Sequence, residues 1–287
     1  MAVQEQRFEV AGLTLAARRW HEGAPHRVLA LHGWLDNAVS FDRLAPCWPG
    51  VDLLAVDLPG HGFSGHRPLQ GSYNLWDDLP DLLRLCDLLG WERFSLLGHS
   101  RGGMMALLLA AALPERVDSL VCLDGLIPDP VDPMDVAGQL GRHLREQLAP
   151  RRPHRGYDSL DEAVAARCRV MGMAVEDARA LLRRSLELRE GRWYWRSDPR
   201  LNTASAFKLT AEHNRGLLAS MAQPGLVIFA EGGLGAVSGA LERSLARHGN
   251  WTVMRCEGSH HAHFEAEAPA MAVSIEHFWQ QCLTGNP

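Results

Sequence analysis

The stretch that most limits what this chain of 287 residues can fold into is 94–103, FSLLGHSRGG. Phe94, Ser95, Leu96 and Leu97 make a short, mostly apolar run of the kind a buried parallel strand requires, and Gly98 interrupts it. Beyond the turn, residues 104–113 are strong helix formers without a polar face, which predicts a buried helix ended by Pro114. Gly98-His99-Ser100-Arg101-Gly102 fits the pattern G-x-S-x-G, in which small flanking residues let a serine occupy a strained strand-to-helix turn and present its hydroxyl above the sheet. That hydroxyl then sits near a helix N-terminus, where backbone N–H groups stabilise negative charge.

The rest of the chain supplies the sheet such a turn needs. Residues 8–10 and 13–20 flank Gly12 and read as an opening hairpin. Residues 27–31 form a further strand that runs directly into His32-Gly33-Trp34-Leu35-Asp36-Asn37. A glycine there lets the backbone approach a ligand, so the turn can aim the Trp34 N–H at a developing oxyanion with the Arg101 N–H as second donor. A plain strand-to-loop turn is the alternative. Residues 51–56 give another strand, followed by the turn-rich DLPGHGFSG, in which His61 is expected to pack the loop. Residues 75–89 read as an amphipathic helix stopped by Gly90, and 117–123 as a strand with Asp124-Gly125 at its C-terminal end, where functional groups of open α/β sheets gather. The alternation of strand and helix predicts a parallel sheet covered on both faces.

Between residues 128 and 214 the pattern changes. Prolines at 128, 130, 133, 150 and 153 punctuate three or four helical stretches, predicting a helical cap inserted between core segments 1–127 and 215–287. Its arginines, at 142, 145, 151, 152, 155, 167, 169, 183 and 184, are expected to form a solvated face, with one or two available to an anionic substrate. Trp193 and Trp195 share one side of an extended segment and either line an apolar pocket or anchor the cap. Residues 225–230 resume the sheet, 237–247 form a helix, 251–256 make the last strand, and a closing helix starts at 267.

With 29 basic against 34 acidic residues the net charge is −5, which argues against nucleic acid or an anionic membrane as partner. The opening MAVQEQRFEV lacks the basic region and apolar core of a signal peptide, and no apolar run approaches a membrane span, so a cytoplasmic protein is expected. The six cysteines lack C-x-x-C spacing and read as reduced core thiols.

HGWLDN, DLPGHGFSGHRP, GHSRGG, LDG, WRSDPRL and GSHHAHFE occur in this order along nearly the whole chain. On these motifs the sequence resembles the α/β-hydrolase fold superfamily, and within it is most similar to the serine hydrolase-like proteins. The resemblance implies a mostly parallel sheet flanked by helices, with a helical cap insertion. It places the nucleophile at Ser100 and the general base at His260, five residues ahead of Glu265. His261 and His263 are neighbours rather than candidates, and no metal site is expected from these histidines because suitably spaced partners are lacking. Most members carry the triad acid three residues beyond the glycine that ends a late strand. Matching Ala230 to that glycine puts Gly233 at the acid position. Other members take the acid from the preceding sheet strand, and Asp124 is therefore favoured, with Glu231 as the alternative. His32, Trp34, His99, Trp193 and Trp195 are expected around the substrate.

The implied chemistry is cofactor-free acyl transfer to water: a serine hydrolase, carboxylesterase-like, acting on a small or medium, largely apolar ester-like small molecule. A serine rather than an aspartate at the turn argues against haloalkane dehalogenase and epoxide hydrolase chemistry. Carbon–carbon bond hydrolysis and lactone opening reuse the same groups and stay open, as does a non-catalytic binding protein on this fold.

Overall fold

The computed structural model describes residues 3–150, 156–233 and 239–284. Its strands, in chain order, are β1 (Gln4–Val10), β2 (Leu13–Trp20), β3 (His26–Leu31), β4 (Val51–Val56), β5 (Phe94–His99), β6 (Val117–Leu123), β7 (Leu186–Arg189), β8 (Arg192–Trp195), β9 (Gly225–Gly232) and β10 (Trp251–Ser259). Eight form one sheet in the order β1-β2-β4-β3-β5-β6-β9-β10. Strand β2 pairs antiparallel with both β1 and β4, and the pairs from β4 to β10 are parallel. The C-terminal ends of β3, β5, β6, β9 and β10 therefore open on one edge, which carries the turns after residues 31, 99, 123, 232 and 259.

Alternation within the strands explains why both faces are covered. Leu29 and Leu31 of β3 enter one core with Leu96, Cys122 and Val227, whereas Val28 and Ala30 enter the other with Leu97, Val121 and Ile228. The first face is covered by helices α1 (Leu79–Leu88) and α2 (Arg101–Ala112) and, from further along the chain, by Leu218 and Leu245. The second is covered by two short 3₁₀ turns at Ala38–Phe41 and Ala45–Cys47 and by the C-terminal helix, whose Met271, Ile275, Phe278 and Trp279 face inward. Helix α2 buries Met105, Leu107 and Leu109 on different sides, as its lack of a polar face predicts; each such side chain contributes about 1.5–3 kcal/mol of transfer free energy.

The span between β6 and β9 adds no strand to the large sheet. It holds α3 (Val136–Leu148), α4 (Leu160–Met171), α5 (Val175–Ser185), the separate hairpin β7–β8, and α6 (Ala211–Ser220). Helices α4 and α5 pack on Val39 and Phe264 through Ala163, Val164, Leu181 and Leu182. Helix α6 straddles residue 214 and packs on α2, so the chain returns to the core layer before that point. The last two helices are α7 (Gly239–His248) and α8 (Ala268–Thr284). The expected start of α7 at Val237, like Arg151, Arg152, Pro153 and Arg155, lies outside the described residues.

Helix α1 begins four residues later than the periodicity predicts. The Asp77 carboxylate accepts from the Asn74 N–H at 2.7 Å and the Ser72 hydroxyl at 2.7 Å, closing a local turn, and Pro80 then suits a helix start. The insertion's arginines depart further from expectation. Arg184 is buried on Asp57, its Nε 2.8 Å from Oδ2, while Arg167 reaches inward to the buried Asp36. Both carboxylates lie within the core, and a buried carboxylate requires a cation or several N–H donors. Among the described residues no helix is long and apolar enough to cross a membrane. Cys86 and Cys122 are buried, Cys47 is exposed, and all six cysteines are free thiols.

Candidate active site

Ser100 stands between β5 and α2 with φ 52° and ψ −117°, a conformation that L residues rarely adopt. The neighbouring glycines make it possible. A Cβ on Gly98 would lie 2.5 Å from the Gly103 nitrogen, and one on Gly102 would meet the Leu31 backbone and lie 2.8 Å from the His32 carbonyl oxygen. The Ser100 N–H donates to the Leu123 carbonyl at 2.9 Å, which ties the elbow to the end of β6. Trp34 lies in the turn after β3, closed by the Asp36 N–H on the Gly33 carbonyl at 3.2 Å with Leu35 at φ 60°. Arg101 opens α2, where backbone N–H groups have no partner within the helix. Its guanidinium is turned away onto the Tyr73 and Asn74 carbonyls, each at 3.2 Å, beside Asp78.

Asp124 follows β6 directly, at φ 44°. Its N–H donates to Ile228 and its Oδ1 accepts the Ala230 N–H at 3.1 Å, so the residue is clamped to the end of β9. Its Oδ2 lies 2.5 Å from His260 Nδ1, with both side chains almost wholly buried. A carboxylate only accepts, so Nδ1 carries the proton and Nε2 keeps its lone pair. Glu231 is exposed at the end of β9. Glu265 takes the Ser259 hydroxyl at 2.9 Å and fixes the turn that delivers His260.

Gly233, where the resemblance would seat the acid, explains the arrangement sterically. A Cβ there would lie 2.5 Å from Asp124 Oδ1 and 2.7 Å from Cγ. The Asp124 carboxylate thus occupies the volume that a side chain at 233 would need.

The structure brings Ser100, Asp124 and His260 to neighbouring strand ends, and Trp34 and Arg101 line a cleft of about 360 Å³ shared with Tyr73, Trp76, Met104 and Phe207. Four expected lining residues are corrected. His32 is fully buried, its Nδ1–H donating to the Gly33 carbonyl at 2.7 Å while Nε2 accepts the Leu58 N–H at 2.9 Å; it joins β3 to the loop after β4. His99 is also fully buried, its Nε2–H donating to the His260 carbonyl at 2.9 Å. Burial lowers the pKa of both and holds them neutral, His99 at about 4. Trp193 and Trp195 pack against the α4–α5 cluster and do not line this cleft. His61 packs its loop as expected, Nδ1 3.1 Å from the Pro59 carbonyl and its ring edge-on to His32.

Sequence reasoning missed Asp36. Its buried carboxylate accepts from His261 Nε2 at 3.1 Å and from Arg167, and faces His99 Nδ1 at 3.5 Å. The signal available was the adjacency of Asp36 to the glycine turn in HGWLDN; nothing in the sequence pairs it with residues 99 and 261.

A profile of the family described as alpha/beta hydrolase fold matches residues 26–150. The chain is 30% identical over 281 residues to a serine hydrolase-like protein of Danio rerio, covering 91% of this chain and 84% of that protein. The chain belongs to the serine hydrolase-like family of α/β-hydrolases. A crystal structure of hypothetical protein PA1622 from Pseudomonas aeruginosa is similar at TM-score 0.89 and 41% identity, covering 95% of this chain and 97% of that one. Other curated members of the family match over shorter stretches, about half of this chain and 41% or 44% of their own length. A Mycobacterium tuberculosis protein named an esterase is 32% identical over 194 residues, 64% of this α/β-hydrolase and 60% of its own length.

Proposed function

We propose that this α/β-hydrolase cleaves small or medium, largely apolar esters through an acyl-enzyme, with Ser100 as nucleophile, His260 as general base and Asp124 as the triad acid. The observation that carries the reading is the 2.5 Å Asp124–His260 bond at the strand edge bearing Ser100. It leaves His260 Nε2 as the only basic nitrogen of that ring, the one a serine proton must reach. His260 takes the Ser100 proton as the hydroxyl attacks the carbonyl carbon, and the imidazolium forms beside an ionised carboxylate. The oxyanion is received by the N–H groups of Trp34 and Arg101. His260 returns its proton to the leaving oxygen, and water repeats the sequence to release the acid.

The substrate class follows from the cleft. Trp34, Leu75, Trp76, Met104, Phe207 and Leu209 give it an apolar lining alongside the polar Asp129, Ser205 and Lys208, and a volume of about 360 Å³ suits a short acyl or aryl group. The mycobacterial relative named an esterase points to the same bond type. Residues 128–214 are read as a cap whose segment 201–209 supplies part of one wall.

The test is fluorophosphonate labelling of wild type beside Ser100→Ala, followed by turnover of chromogenic esters of graded acyl length. Wild type labels and the variant does not. A wild type that resists the probe, or a variant that labels equally, overturns the reading in favour of a binding protein on this fold. Turnover falls as the acyl chain outgrows the cleft.

A further inference from the structure

Behind His260 lies a second cluster that acyl transfer does not use. Asp36, His99 and His261 are all buried, and one donor atom from each lies within 4.8 Å of the others. Two separations are known individually, 3.5 Å from His99 Nδ1 to Asp36 Oδ2 and 3.1 Å from His261 Nε2 to the same oxygen. Ligands at the usual distance of about 2.0–2.1 Å from a tetrahedral zinc are separated by roughly 3.3 Å, which these two separations bracket, and the third pair lies within 4.8 Å.

The electron pairs fit as well. His99 Nε2 carries a proton, because its partner is the His260 carbonyl, which can only accept. Its Nδ1 therefore presents a lone pair toward a carboxylate oxygen and has no hydrogen-bond partner. A buried ring nitrogen 3.5 Å from a carboxylate oxygen and without a hydrogen-bond partner is a position that a shared cation would satisfy. Asp36 presents both carboxylate oxygens to the cluster's polar groups, Oδ2 to His261 Nε2 at 3.1 Å and Oδ1 to Arg167. His261 Nδ1 is also unpartnered, so the ring can move its proton there and free Nε2 as third ligand without a change of charge. Room exists because residue 33 is glycine: a Cβ there would lie 2.9 Å from His99 Nδ1 and 3.1 Å from Asp36 Oδ2. Arg167 pairs with the other carboxylate oxygen and is only partly buried.

We propose that Asp36, His99 and His261 bind one divalent transition-metal ion, with zinc or cobalt(II) as the type, in a two-histidine, one-carboxylate site distinct from the Ser100–His260–Asp124 group. Nitrogen and carboxylate ligands in this number suit these borderline ions, and the fourth position takes water. Bound metal draws His99 and the Gly33–Asp36 turn together. On the hydrolase reading, which this consequence alone rests on, that shift moves the Trp34 amide and slows ester turnover.

The experiment titrates cobalt(II) into the metal-free full chain and follows the visible ligand-field bands that tetrahedral coordination intensifies, with zinc as competitor. One equivalent binds wild type. His99→Gln and His261→Gln each weaken binding by at least tenfold, of the order seen when even a metal's outer shell is lost. Arg167→Gln tightens it, since a competing positive charge is gone. His260→Gln and the surface variant His66→Gln keep the band. Circular dichroism checks that each variant is folded, and two independent ligand variants guard against loss of one. The proposal is overturned if wild type gives no saturable tetrahedral band, if the band survives in both ligand variants, or if it vanishes with His260→Gln. Cobalt binding without any fall in ester turnover keeps the site and overturns its coupling to catalysis.

Discussion

Moving the proposed triad acid from one strand end to another tests the site most directly. Asp124→Asn keeps the shape and removes the charge that holds the His260 tautomer, 2.5 Å from Nδ1. In serine triads that change lowers kcat roughly 10⁴-fold, or about 5 kcal/mol of transition-state stabilisation. The same is expected here, with KM little changed and Glu231→Gln close to wild type, because Glu231 is exposed and makes no hydrogen bond to His260. Gly233→Asp alone forces a second carboxylate into occupied volume, since even its Cβ would stand 2.5 Å from Asp124 Oδ1. It is expected to be poorly active and less stable. Asp124→Gly with Gly233→Asp vacates that volume and restores a carboxylate at the neighbouring strand end, so the pair recovers on the order of 100-fold over Asp124→Gly. Steady-state kinetics on one chromogenic ester reads all five variants beside wild type. Asp124→Asn retaining more than about a tenth of wild-type kcat, or Glu231→Gln matching its loss, would refute the reasoning.

Two further expectations follow from the buried charges and rings. Arg184→Met leaves the fully buried Asp57 with only the Ala38 and Phe63 N–H donors, at 2.8 and 2.7 Å, which costs about 3–5 kcal/mol and lowers Tm by on the order of 10 °C in a thermal melt; an unchanged Tm would show the pair to be dispensable. His26, His32 and His61 all have pKa values lowered by burial, so the native state resists protonation that the unfolded chain accepts below about 6.5. Stability is present above that pH and lost as pH falls from about 6.5 toward the lowered native values, and urea midpoints measured between pH 7.5 and 5 should decline; a flat series would contradict it.

Much of the site was legible because it follows from local backbone geometry. G-x-S-x-G after an apolar run can be satisfied only by a sharp strand-to-helix turn, and the structure has that turn at Ser100 with φ 52°. The strands were readable for a similar reason: continuous apolar runs mark segments buried on both faces, as in β4 and β5. Helix α1 was overextended because the periodicity of residues 75–78 is helical while Asp77 gives their backbone a competing turn. His32 and His99 were misplaced because adjacency to a motif says nothing about which way a ring points. Both rings turn into the core, where carbonyls and N–H groups await them.

By itself the sequence determined the elements, their order, the strained serine and the histidine turn, since each depends on residues a few positions apart. It favoured Asp124 over Glu231 as the acid only through the resemblance, with no local pattern to show which carboxylate meets the ring. Which carboxylate meets His260 belongs to the tertiary structure, in which parallel pairing of β6 with β9 sets the Asp124 carboxylate in the space left by Gly233 and within reach of His260, 136 residues away. The same pairing across distant chain segments gathers Asp36, His99 and His261. Such coincidences in space depend on strand order and register, and these are set by packing of the whole chain, which leaves no local pattern to read.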